Sequence, residues 1–262
     1  MSSNYQLVKT SEKDLTQHFF KFYNHVRNEW KKLISILKEN KTISDENYKM
    51  FKRMENKSNH MQADILDESI WSISRNQPVA NHLRFVISVI YSISDLERMA
   101  DYVINCVNII RQNKLTNHAI GIILNAFKLS YNCMEKIFKL LQTKEKIKVD
   151  PICAYHQANI VMNYYRTEYK DILKDLSEII YDKNTPQQIE TILSSISIIV
   201  KYAERNVDHA VNILENFIYV RESNFFFNKH LTQSLDFDDI NTSEVYTKKT
   251  KSKNLKSKNK FY

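Results

Sequence analysis

Glycine is nearly missing from this sequence. Its 262 residues include one glycine, Gly121, beside three prolines, Pro78, Pro151 and Pro186. Tight turns draw on glycine and proline, so a fold built from many short strands is excluded. A single glycine also excludes the glycine-rich loops that cradle nucleotide phosphates. Cysteine is scarce as well. Cys106, Cys133 and Cys153 are odd in number, widely spaced and without a CxxC pair, which supports neither a disulfide framework nor a zinc ribbon. Buried free thiols in a reducing compartment are the expectation. No run of about 20 apolar residues offers a membrane span. The N-terminal segment lacks the apolar stretch and cleavage site of a signal peptide. A soluble, cytoplasmic chain of long helices is what remains.

The charge is unevenly spread. Lysine and arginine number 38 against 30 acids, a net +8, and residues 248–260 hold seven lysines and no acid, so the remainder sums to 8 − 7 = +1. The tail is read either as a contact for nucleic acid or anionic lipid or as a solubilising, disordered end. The body carries no basic stripe, so nucleic acid is not the expected partner.

Periodicity and breaks predict six helices, an all-α fold. The first covers about 11–40, with Phe19, Phe22, Val26, Trp30, Leu33 and Leu37 at three- and four-residue steps. The second covers about 45–75 and ends before Pro78, because the residue preceding proline disfavours helix. Pro78 then fits the first turn of the third helix, which runs to about 111 on a stripe of Val86, Val89, Ile93, Leu96, Ala100, Val103, Val107 and Ile110. The fourth covers about 116–144 and the fifth about 151–182. Thr185, Pro186 and Gln188 read as the cap, first turn and capping box of a sixth that reaches about 222. Phe225, Phe226 and Phe227 are expected to dock on the body.

An internal repeat divides the six helices into two threes. Residues 96–109 (LERMADYVINCVNI) align without gaps on residues 203–216 (AERNVDHAVNILEN), pairing Glu97 with Glu204, Arg98 with Arg205, Asp101 with Asp208 and Asn105 with Asn212. The expected organisation is a first repeat at 11–114, a second at 115–222 and a C-terminal extension at 223–262.

The repeats carry acids where chemistry is possible. Glu97 and Asp101 are four apart, as are Glu204 and Asp208, so each pair shares a helix face one turn apart. Both pairs border an apolar stripe, and acids near a core need a partner or a shifted pKa. That partner is either a basic group such as Arg98 or Arg205, the commoner outcome, or a metal ion, since hard oxygen ligands suit iron, manganese, magnesium or calcium. Enzyme signatures are missing: no glutamate is followed three residues later by histidine, no HExxH exists, and no serine or cysteine sits in a nucleophile elbow. His209, beside Asp208, is expected to be polar packing on a helix surface.

These residues resemble the PhoU family of phosphate-uptake regulators. The resemblance rests on Gln77-Pro78-Val79-Ala80, Leu83-Arg84 and Asp95-Leu96-Glu97-Arg98 with Asp101 in the first repeat. In the second it rests on Tyr202, Glu204, Arg205, Asp208, His209, Asn212, Ile213 and Glu215. It implies two tandem three-helix bundles and a non-enzymatic regulatory adaptor of a phosphate-specific ABC transporter. Its further partners are a sensor histidine kinase and a second copy in a dimer. It also implies a metal ion (iron, manganese, zinc or magnesium) on an acidic helix face, with Glu97, Asp101, Glu204 and Asp208 as ligands. Glu55 and Asn59 correspond to the second motif of the first repeat. Asn159 and Asn163 correspond to it in the second, where asparagine brings no charge to balance several cations. Asp64, Asp67 and Glu68 are expected on a solvated face. The other readings are a metal-cluster binding or storage protein, and a nucleic-acid- or membrane-binding helical protein acting through its tail.

Overall fold

A computed structural model describes residues 2–113, 115–143, 146–147, 151–180 and 187–221. Six helices account for nearly all of them: α1 Ser2–Asn40, α2 Asp45–Asn76, α3 Asn81–Gln112, α4 Asn117–Leu141, α5 Pro151–Ile180 and α6 Gln187–Arg221. The all-α expectation holds, with one minor exception. In the α4–α5 connection, β1 (Gln142–Thr143) pairs antiparallel with β2 (Lys146–Ile147), Gln142 opposite Ile147 and Thr143 opposite Lys146.

Local chemistry sets the helix ends. Ser44 caps α2 by accepting from the Asn47 N–H at 3.1 Å, with Asp45 and Glu46 in the first turn against the positive end of the helix dipole. Thr116 caps α4 by accepting from Ala119 at 3.2 Å. Two expectations are corrected. α1 begins at Ser2 and not near residue 11, because its buried stripe continues backwards through Leu15, Ser11 and Val8. The Ser11 hydroxyl donates to Ser72 Oγ at 2.7 Å, so a polar residue keeps the period. Pro78 is not in the first turn of α3. Gln77 closes α2 in the left-handed region at φ 45°, and Ala80, at φ 50° and ψ −119°, precedes α3. Two chain reversals in four residues leave Pro78 in the connection. The proposed start of α6 at Thr185 and Pro186, the aromatic run and the lysine tail lie outside the described residues.

α1, α2 and α3 pack together, as do α4, α5 and α6, and the two groups meet most extensively through α3 and α6, with α1 against α4 beside them. The α1 stripe is fully buried from Phe19 to Leu37. Trp30 crosses between groups: its indole N–H donates to the Met99 carbonyl at 3.2 Å, and its ring lies edge-on to Phe127 at 5.4 Å. Tyr23 likewise donates to the Met134 carbonyl at 3.0 Å. Cys106 and Cys133 are buried free thiols, as expected, and burial pushes the Cys133 thiol up to about 11. Among the described residues, no helix is long and apolar enough to cross a membrane.

Candidate functional site

The antiparallel α2 and α3 place the first acidic pair. Glu97 and Asp101 stand one turn apart on α3, half-buried beside Ile93, Ala100 and Ile104 of the core. Burial raises the pKa of both. For Glu97 the next cause is the Asp101 charge beside it; for both, Glu55 of α2 adds repulsion. On α2, the Asn59 amide donates to Glu55 Oε1 at 3.2 Å, and the Lys52 ammonium lies 3.6 Å from Oε2. The fold therefore gathers Glu55, Glu97 and Asp101 into one face, with exposed Asn59 orienting Glu55. Asp64 and Asp67 are exposed, while Glu68 meets His18 at 2.6 Å.

The second pair has different surroundings. Glu204 meets the Lys201 ammonium, and Arg205 lies 3.8 Å from Asp208. Burial raises the pKa of Asp208, and Glu204 adds to the rise. On α5, Tyr165 and Tyr169 stack at 5.4 Å, and the Glu204 and Asp208 charges help hold both phenols protonated. Asn163 is exposed and Asn159 half-buried. A metal centre therefore finds a different chemistry in each repeat. The first sets three carboxyls, Glu55, Glu97 and Asp101, against the Lys52 and Arg98 charges, and oxygen ligands of this kind are those a hard cation takes. The second is already neutralised by Lys201 and Arg205 and faced by phenols, which does not. Among the described residues, no three carboxylate, imidazole or thiol groups already stand in a metal-holding arrangement.

Between the repeats runs a polar seam. His209 is buried, not on a helix surface as expected, because its helix face is the one that meets α3. Its Nδ1–H donates to Asp95 at 2.8 Å, and Nε2 meets the Tyr102 hydroxyl at 3.0 Å. Tyr102 and His209 are 107 residues apart, the repeat offset itself. Equivalent positions of the two repeats thus meet across the α3–α6 contact. Tyr202 stacks on Tyr102 at 5.0 Å, and the Ser88 hydroxyl donates to the Asn216 carbonyl at 2.6 Å.

Comparison with known proteins places this geometry. A model of the PhoU domain matches residues 21–110. The uncharacterized protein MG409 of Mycoplasma genitalium is 32% identical over 230 residues, covering 85% of this chain and 98% of its own. The phosphate-specific transport system accessory protein PhoU homolog of Pseudomonas aeruginosa is 28% identical over 175 residues, covering 64% of this chain and 67% of its own. The chain belongs to the PhoU family. The crystal structure of the phosphate transport system regulatory protein PhoU from Streptococcus pneumoniae shares the fold, with a TM-score of 0.65 over 83% of this chain and 98% of that one at 21% identity.

The stretch matched by the PhoU domain contains the whole first acidic face and the α3 side of the seam. One carboxyl of α6 feels the Asp95 charge. Glu215, half-buried on α6, is pushed up to about 7 from 4.5, by burial first and then by the Asp95 charge. The folded chain holds this proton more tightly than the unfolded one, so stability falls as pH rises from about 4.5 to 7. At about 1.4 kcal/mol per pH unit the loss totals about 3 kcal/mol. Glu215→Gln removes that share of the slope. Urea unfolding at pH 5 and pH 8 should show the variant gaining about 2–3 kcal/mol on the wild type at the higher pH. Equal pH dependence in both would refute the assignment.

Proposed function

We propose that this PhoU-family chain is a non-enzymatic, cytoplasmic regulatory accessory of phosphate uptake. It acts on a phosphate-specific ABC transporter as a rigid helical adaptor, functions as a dimer, and signals to a sensor kinase where one is present. The observation that carries the reading is the acidic face of the first repeat. Glu55, Glu97 and Asp101 stand on two helices, partly withdrawn from water, three carboxyls set against the charges of Lys52 and Arg98. Such a face responds to cations, whether an ion or a basic surface of a partner. Glu55, Glu97 and Asp101 would hold a divalent ion, with Asn59 positioning Glu55. The ion supplies positive charge that relieves the mutual repulsion of the carboxylates. Glu204 and Asp208 carry their own countercharges and serve as structural ion pairs. Relatives whose names describe phosphate-specific transport accessory proteins support the transport side.

The test is uptake of radiolabelled phosphate by cells depleted of the chain, at high external phosphate. Depletion should raise uptake several-fold, and re-expression should restore the lower rate. Unchanged uptake after depletion would refute the reading.

A further inference from the structure

One end of the helix bundle presents exposed apolar side chains in stretches that carry no acid. Ser11 of α1 meets Ser72 of α2 at 2.7 Å, and Glu12 of α1 meets His82 of α3 at 2.5 Å. The Arg84 Nε–H of α3 donates to the Val220 carbonyl of α6 at 3.4 Å. The start of α1, the end of α2, the start of α3 and the end of α6 therefore lie together. Val79, in the α2–α3 connection, is 71% exposed; Leu7 and Ile70 are 53% exposed and Trp71 49%. Residues 2–11, 70–94 and 216–220 contain no aspartate or glutamate, while they include Lys9, Arg75 and Arg84. The Arg75 guanidinium stands 5.0 Å from the centre of the Trp71 ring. The lysine run at residues 248–260 lies outside the described residues and follows α6 in sequence, with Lys248 placed 248 − 221 = 27 positions after Arg221.

We propose that this chain docks on an anionic lipid bilayer through two signals: the apolar end of the bundle, where Leu7, Trp71 and Val79 enter the headgroup layer, and the lysine run, which the negative surface attracts. One weak signal gives only marginal attachment, whereas two of different kind hold a protein on a membrane. Lysines near an anionic surface add their attractions. Tryptophan, apolar in its body and polar at its N–H, favours the headgroup level. Nucleic acid fits these residues less well. The run has no arginine for forked contacts with phosphates and no aromatic ring on which bases stack. Exposed Leu7, Val79 and Ile70 have nothing to gain from phosphates. The inference goes beyond the transport reading and does not depend on it.

The test mixes the full-length protein with vesicles of phosphatidylcholine and phosphatidylglycerol in equal parts, or of phosphatidylcholine alone, and reads binding by sedimentation. Wild type should bind the anionic vesicles at low salt, leave them at high salt and ignore the neutral ones. Lys248→Gln/Lys249→Gln/Lys251→Gln/Lys253→Gln should weaken binding by about a hundredfold or more. Trp71→Ala/Val79→Ser should weaken it by about tenfold. Binding unchanged in either variant would overturn the proposal, as would a wild type that binds neither vesicle or both alike. Tighter binding to a DNA duplex than to the anionic vesicles would overturn it in favour of nucleic acid. Fluorescence of the wild-type chain adds a reading that needs no substitution. Of its two tryptophans Trp30 is fully buried, so a blue shift of the emission on adding anionic vesicles reports Trp71 entering an apolar layer. Vesicle-bound protein with unshifted emission would overturn the proposal.

Discussion

Trp30→Ala is expected to destabilise the folded chain by about 4 kcal/mol, within the range for removing a fully buried aromatic ring. Trp30 is fully buried, touches α3 through the Met99 carbonyl and meets α4 through Phe127. Its loss opens a cavity where the two helix groups meet and removes the second donor to the Met99 carbonyl, which keeps only its helix bond. At roughly 2–4 °C per kcal/mol for a chain of this size, the melting temperature should fall by about 8–15 °C. Trp71→Ala is the control. That ring is 49% exposed, with the Arg75 guanidinium 5.0 Å from its centre, and its loss should cost less than about 0.5 kcal/mol. Urea unfolding monitored by circular dichroism measures both. A cost below about 1 kcal/mol for Trp30→Ala would mean that the inter-group core does not hold the fold together.

Asp95→Ala should cost about 3 kcal/mol, because it leaves a partner buried and unpaired. The Asp95 and His209 side chains are 14% and 9% exposed, and Asp95 is the acceptor for His209 Nδ1. It is also within 3.5 Å of the Asn216 amide. Asp95→Asn keeps the shape and should cost less. A double-mutant cycle with His209→Ala isolates the contact and should give a coupling of about 2 kcal/mol. Additivity within about 0.5 kcal/mol would show that the seam is incidental to the packing of α3 on α6.

Much of the fold could be read from the sequence, for identifiable reasons. One glycine leaves little besides long helices, and the stripes of α1 and α3 sit at helical spacing. The gapless match of residues 96–109 on 203–216 showed α3 and α6 to be alike in sequence, but not that they pack against each other, which the structure adds. The acidic pairs were legible because a four-residue step on a helix fixes a shared face. What lay hidden depends on partners distant in sequence. His209 looks like a surface residue until Asp95, 114 residues away, is brought to it. Tyr165 and Tyr169 give no local sign that they face Glu204. Pro78 misled because proline suits both a first turn and a connection.

On the proposed function, the acidic face of the first repeat controls phosphate uptake. The measurement that tests it most directly is radiolabelled phosphate uptake at high phosphate, in cells depleted of the chain and supplied with either the wild type or Glu97→Gln/Asp101→Asn. Both proteins must accumulate to equal levels. Wild type should restore the low uptake rate, and the double variant should leave it near the depleted level. Full restoration by the variant would contradict that function.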